Sequence, residues 1–300
     1  LGAGAVVATV LTQWTPAPKT REATVDLLAV GSGQCAVLTT PSGATVLIDA
    51  GTRSGFDAGS TTLRPFLREM ALGPPRTVFV SHANSDHYNA LPTLLEGGPA
   101  PDTLYVNRLF GLRPPESHPG RADAKAFLRM VETTGTRVER LHAGDELSLD
   151  ESTRVEVVWP PALPPPDIEN DPNDCSLVLR VRSGERSILF TGDIGPFAQA
   201  TLAARPEAVR ADVLVMPHHG AWSRPRGGEE SPLERFLRAV EPDVVLVSAG
   251  RDPYGPRSDE PGRREFYTRL KTAYRYFSTA DNGWIRLRLG DGGVEVESMR

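Results

Sequence analysis

Cysteine is nearly absent from this chain. Two residues in 300, Cys35 and Cys175, sit singly inside apolar stretches, which excludes a disulfide framework or a zinc knuckle and leaves both as small core residues. A basic excess is missing too. With 33 Lys and Arg against 38 Asp and Glu, the formal net charge is −5, which excludes a surface that holds nucleic acid by bulk electrostatics alone. Basic residues cluster locally between 263 and 275, where the spacing suggests a helix with a solvated charged side. No repeat of fixed period is visible. The apolar run at residues 1–14 is too short to span a bilayer. Small, uncharged and ending in Trp14, it reads as the last turns of a transmembrane helix cut from a longer protein, or as a signal-peptide remnant or core strand.

What the chain has in quantity is turn chemistry. The 28 Gly and 27 Pro predict many short elements and a sheet-rich fold, within an ordinary globular composition of 39% hydrophobic and 24% charged residues. After a Pro-containing linker at 15–20, β-type runs at 24–30, 35–40 and 45–49 are separated by Gly31-Ser32-Gly33 and Pro41-Ser42-Gly43, an antiparallel opening. A helix is expected at 60–71, a strand at 76–81, and further helices from Asn89 and at 121–134. Strands follow at 145–150, 153–158, 176–181, 187–190, 212–216, 243–248, 284–289 and 293–298. The Pro-rich loop at 160–166 and the acidic stretch 167–174 read as an exposed loop, not a boundary. Mixed β, helix, β, helix in each half suggests sheets sandwiched between helices.

Four of the six histidines fall in two places: His82 and His87 in Ser-His-Ala-Asn-Ser-Asp-His, and His218 and His219 in Met-Pro-His-His-Gly. Each place directly follows a β run. Between them, Ile-Leu-Phe-Thr-Gly-Asp delivers Asp193 to a third strand end. A transition metal needs imidazole nitrogens and carboxylate oxygens converging within about 2.0 to 2.2 Å, and paired metals about 3.5 to 4 Å apart need a bridging ligand. Asp193 is the candidate bridge. His82 would serve one metal, and Asp86 with His87 the other. The plainer role for any one of these residues is that of a polar loop side chain; the ordered set is what points to metal.

Together with Gly31–Gly51, the Asn173–Val181 run and the Leu189–Gly195 run, these motifs resemble the metallo-β-lactamase-like domain of the ComEC family of DNA-uptake (competence) proteins, in order from about residue 24 to the end. The resemblance implies an α/β (α+β) fold of the αββα four-layer sandwich type. It also implies a metal-dependent phosphodiesterase or nuclease with up to two Zn2+ or Mn2+ ions, and single-stranded DNA as partner. The setting it implies is a domain on the extracytoplasmic face of an inner-membrane protein, with residues 1–20 as a truncated membrane tail and linker and 21–300 as the hydrolase domain. Nothing in the sequence points to a protein partner.

Departures from the family pattern bear on the same site. Asn84 stands where the pattern carries a charged or imidazole ligand, offering a neutral oxygen to the metal. Gln34 replaces an acidic neighbour of Gly33. A histidine is missing from Tyr254-Gly255-Pro256-Arg257, where Arg257 would contact a phosphate or simply face solvent. Asp49 would lie near the site or cap its strand, and Asn173 would ligate weakly or form a turn. Trp222 would stack on a base or pack on its own domain. Metal-bound phosphate would be attacked in line by an activated water oriented by Asp86, with His218 as metal ligand and His219 as proton donor, although spacing does not separate the two histidines. Two other readings stay open: a hydrolase of a small ester, lactone or phosphorylated molecule, and a decayed domain that binds DNA or a partner without cutting.

Overall fold

The computed structural model describes residues 22–96, 98–112, 119–165, 168, 171–222, 230–250 and 261–299. The expected membrane tail at 1–20 and the Tyr254–Arg257 motif lie outside them. Fifteen strands are described: β1 (Ala23–Leu27), β2 (Cys35–Thr39), β3 (Thr45–Ala50), β4 (Thr77–Val80), β5 (Thr103–Asn107), β6 (Arg137–Leu141), β7 (Glu146–Ser148), β8 (Thr153–Trp159), β9 (Val178–Ser183), β10 (Arg186–Phe190), β11 (Val213–Val215), β12 (Val244–Val247), β13 (Arg275–Ser278), β14 (Trp284–Gly290) and β15 (Gly293–Met299). The helices are α1 (Arg64–Glu69), α2 (Leu91–Leu95), α3 (Pro119–Thr133), α4 (Pro196–Ala203), α5 (Pro206–Val209), α6 (Pro232–Val240), α7 (Pro261–Ala273) and α8 (Thr279–Asn282).

The strands form two sheets. One runs β15-β14-β1-β2-β3-β4-β5-β6 and the other β13-β12-β11-β10-β9-β8-β7. In each half an antiparallel stretch turns parallel: β1, β2 and β3 pair antiparallel and β4, β5 and β6 follow in parallel, while β8, β9 and β10 pair antiparallel and β11, β12 and β13 follow in parallel. The chain then returns to the first sheet, where β14 pairs with β1. Buried Asp26 on β1 secures that return, accepting from Trp284 Nε1 at 2.8 Å and from two Arg286 nitrogens at 2.7 and 3.0 Å.

Alternation along the strands builds four layers. In β3, Val46 and Ile48 face the second sheet, and Leu47 and Ala50 face helices; in β12, Val244 and Leu246 face the first sheet, and Val245 and Val247 face helices. Strands covered on both faces carry unbroken apolar runs, which is why these segments read so plainly as strands. Phe66, Leu67, Leu91, Phe127 and Val131 cover one outer face. Ala198, Leu202, Phe236, Leu237, Phe266 and Leu270 cover the other. This is the expected αββα sandwich.

Three strands escaped the sequence pattern. On β6, an edge strand, Arg137, Glu139 and Arg140 are exposed; charged edges of this kind block edge-to-edge pairing and erase the apolar signature. β13 is likewise an edge, and β5 was hidden among turn residues. The expected helix at 60–71 is a π turn at Gly59–Leu63 followed by α1. The helix expected from Asn89 is a 3-10 turn at Ser85–His87 and the short α2. Arg263, expected on a solvated face of α7, is buried and donates to the Trp222 carbonyl.

Phe190 ends β10 and is buried between the sheets at 1% exposure. Phe190→Ala is expected to cost about 3–5 kcal/mol, read as a lowered denaturation midpoint with unchanged slope.

Candidate metal centre

Strand ends aim the site. Asp49 lies at the end of β3, His82 just past β4 and Asp193 just past β10, while the Ser85–His87 turn carries Asp86 and His87 and the Pro217–Gly220 turn after β11 carries His218 and His219. Two glycines permit this convergence. A Cβ on Gly51 would lie 2.5 to 2.7 Å from the backbone of Asp86 and His87, and one on Gly192 would lie 2.7 Å from Ser176 and 2.9 Å from Ser81. A larger residue at Gly51 would push apart the loops after β3 and β4 of one sheet, and one at Gly192 would push the loop after β10 away from Ser81 of the other.

His82, Asp86, His87, Asp193 and His219 are all buried. His87 Nε2 is 3.2 Å from Asp193 Oδ1, His82 Nε2 3.8 Å from Asp193 Oδ2, and His219 Nε2 3.6 Å from both Asp86 Oδ2 and Asp193 Oδ2. His82, His87 and Asp193 form one group, and Asp86, His87 and His219 another, whose ligand atoms all lie within 4.8 Å of one another.

The far nitrogen of each ring is already committed. Asp49 is fully buried and accepts from Gln34 Nε2 at 2.9 Å, the Ser81 backbone N–H at 2.7 Å, Ser81 Oγ at 2.8 Å and His87 Nδ1 at 2.8 Å. Because the Ser81 hydroxyl donates to Asp49, its oxygen accepts from His82 Nδ1 at 3.0 Å. His219 Nδ1 donates to the Ser248 carbonyl at 3.1 Å. In their neutral forms all three rings therefore present an Nε2 lone pair to the centre. Those Nε2 atoms, Asp86 Oδ2 and Asp193 Oδ1 are buried without a hydrogen-bond partner. Buried polar atoms are nearly always paired, and five converging orphans of nitrogen and carboxylate oxygen fit a divalent transition ion.

Burial strips solvation from the His82 imidazole and, with the charge of neighbouring His87, pushes its pKa down to about 4 against the pull of Asp193, Asp49 and Asp86. Burial opposes charge on His87 as well, yet Asp193 and Asp49 hold it well above the usual histidine range. Burial would raise both carboxyls. His219 and His87 hold Asp86 at about 2 and Asp193 well below the carboxylate range.

The structure assigns the expected residues unequally. Of the two adjacent histidines, His219 and not His218 enters the cluster; His218 is 41% exposed, with Nε2 3.9 Å from Asp193 Oδ2. Both adopt left-handed backbone, φ 51° and 53°, and that tight turn sends their rings different ways. Asn84 donates to Asn173 Oδ1 at 2.8 Å, so the two amides serve one another. Trp222 is buried and stacks on Phe266 at 5.6 Å, which withdraws it from any base. Asp49 both accepts a backbone N–H and orients a ring. Sequence reading missed Ser81, Gln34 as a donor to Asp49, Ser176, whose hydroxyl accepts from the Asp193 N–H at 3.0 Å, and Arg53, whose Nε lies 3.8 Å from Asp86 Oδ2 at the exposed rim. Only Ser81 had a signal, its place directly before His82.

The lowered pKa of His82 sets a pH window for the metal-free chain. Between the ordinary value of 6.5 and about 4 the unfolded chain binds a proton that the folded one refuses, so stability falls with pH by about 3 kcal/mol in all. His87 and His219, shifted upward, contribute fully below 6.5 and add no slope there. Denaturation with chelator present is expected to show this loss in the wild type, and His82→Asn to flatten it.

Residues 28–251 match the model of the metallo-beta-lactamase superfamily, whose fold binds divalent metals. The chain is 25% identical to ComE operon protein 3 of Bacillus subtilis (strain 168) over 280 residues, 89% of this chain and 33% of that protein. It is 24% identical to Recombination protein 2 of Haemophilus influenzae over 281 residues, 92% of this chain and 30% of the relative. It thus spans about a third of the length of these curated relatives. Among solved structures, Zn(2+)-bound PqqB from Methylobacterium extorquens superposes with a TM-score of 0.52 at 12% identity, covering 89% of this chain and 99% of PqqB, a likeness of fold alone. The chain belongs to the metallo-beta-lactamase superfamily of hydrolases, and its curated relatives match it as a ComEC-like domain.

Proposed function

We propose that this domain is a metal-dependent phosphodiesterase that cuts DNA during uptake across a membrane, as an extracytoplasmic part of a longer inner-membrane protein. The observation that carries the reading is the set of five buried, unpartnered donor atoms on His82, Asp86, His87, Asp193 and His219. The competence-protein relatives, among them Competence protein ComA of Neisseria gonorrhoeae, supply the link to DNA. No helix among the described residues is long and apolar enough to cross a membrane.

Asp86, His87, His219 and Asp193, with His82 beside them, would hold Zn2+ or Mn2+. A divalent ion supplies Lewis acidity toward a phosphoryl oxygen and lowers the pKa of water toward about 7. The protein's own part is orientation. Asp49 and the Ser81 hydroxyl keep the His87 and His82 rings turned inward, and the Ser248 carbonyl does the same for His219. Asp86 would both ligate and orient the attacking water. His218, half-exposed beside Asp193, would take the proton-donor role in place of His219, whose Nε2 faces Asp86 and Asp193. Arg53 at the rim offers a cationic contact to a phosphate in an otherwise acidic chain.

Bis-p-nitrophenyl phosphate, single-stranded DNA and a lactone, each assayed with Zn2+ or Mn2+, separate the readings. Turnover of both phosphodiesters is expected, abolished by chelation and by Asp193→Ala. Turnover of the lactone alone would instead favour a small-ester hydrolase, and no turnover at all a binding domain. Asp49→Asn should weaken metal affinity by about 10- to 100-fold. His218→Gln should lower kcat on DNA by about 100-fold or more with metal content unchanged.

A further inference from the structure

We infer that the centre takes one divalent transition ion, held by Asp86, His87, His219 and Asp193, and that the side occupied by His82, Asn84 and Asn173 takes none. The inference rests on the reading of this cluster as a metal centre and follows from counting lone pairs. The two candidate triads share His87. His87 Nδ1 is committed to Asp49 at 2.8 Å, so the ring has a single lone pair, at Nε2, and serves a single ion.

Assigning that lone pair decides the rest. An ion on His87 also reaches Asp86 and His219, whose Nδ1 is spent on the Ser248 carbonyl. Asp193 completes it through Oδ1, 3.2 Å from His87 Nε2. That gives four protein donors, two imidazoles and two carboxylates, all buried. What is left for a second ion is His82 Nε2 and Asp193 Oδ2, 3.8 Å apart. Two donors fall short of the three or four that hold zinc-like ions.

The neighbouring side chains do not make up the deficit. Asn84, two residues from both His82 and Asp86, donates to Asn173 Oδ1 at 2.8 Å; exchanging O and N on both amides preserves the bond, so one amide oxygen is always taken and the one left over is neutral, not one of the imidazole, thiolate or carboxylate ligands that hold zinc-like ions. His218 belongs to neither triad, and its ring is 41% exposed. His82 then lines the substrate side of the single ion as a neutral imidazole whose Nε2 accepts a hydrogen bond.

The test is a metal count on the full 300-residue chain, loaded separately with excess Zn2+ and Mn2+, passed through a desalting column and measured by elemental analysis. One ion per chain is expected. Two retained ions would overturn the inference and leave the hydrolase reading standing, whereas none would overturn both. Titration calorimetry locates the ion: His82→Ala should keep one tight site and His219→Ala should lose it, and the reverse pattern would sink the assignment. Asn84→Asp adds a third, charged donor beside His82 and should raise the count to two. A count that stays at one would overturn the role given to the amide pair. Melting curves recorded on each variant identify any that fail to fold, and the wild-type count is independent of them.

Discussion

A single buried carboxylate sets the geometry on which the site depends. Asp49 has no solvent to stabilise its charge, and four donors from Gln34, Ser81 and His87 take solvent's place. A carboxylate removed from water is costly unless its lone pairs are met, so the donors that meet them are drawn into fixed positions. His87 is thereby held directly and His82 through the Ser81 hydroxyl. The same four bonds tie the end of β3 to the start of the loop after β4 and to the segment before β2.

The sandwich makes such a loop cluster possible. Both sheets are covered on both faces, and the strands running to the site are close to featureless in polarity: Val46, Ile48, Val78 and Val80 on one side, Ile188, Phe190, Val213 and Val215 on the other. Rigid strand ends deliver Asp49, His82 and Asp193 with little freedom, and Gly51 and Gly192 allow the loops to approach within contact distance. Polar residues are thereby confined to one end of an apolar core, where water is excluded and charge interactions are strong.

The consequence is a set of donors unequal in kind. Asp86, His87, His219 and Asp193 converge, His82 faces them from one side, and Asn84 with Asn173 forms a neutral pair nearby. This asymmetry is local to a few side chains and leaves the layers around it unchanged. The architecture does not depend on these side chains, because the sheets are held by apolar packing.

Much of this was legible in the sequence where chemistry is local. Strands buried on both faces announced themselves as apolar runs, and His82, Asp86, His87 and Asp193 were visible because each sits just beyond such a run. The charged edge β6 was not, since an edge strand serves solubility and sheds the pattern that identifies it. The sequence by itself determined most of the strands and the residue types at their ends, because both follow from periodicity and spacing along the chain, while the four-layer order came from the family resemblance. Only the tertiary structure decided which ring nitrogens point inward, that His219 enters while His218 stays at the rim, that Trp222 is core, and that the Asn84 amide donates to Asn173. Each of those depends on a partner far away in sequence, such as Ser248 for His219 or Phe266 for Trp222, and residue spacing carries no record of such partners.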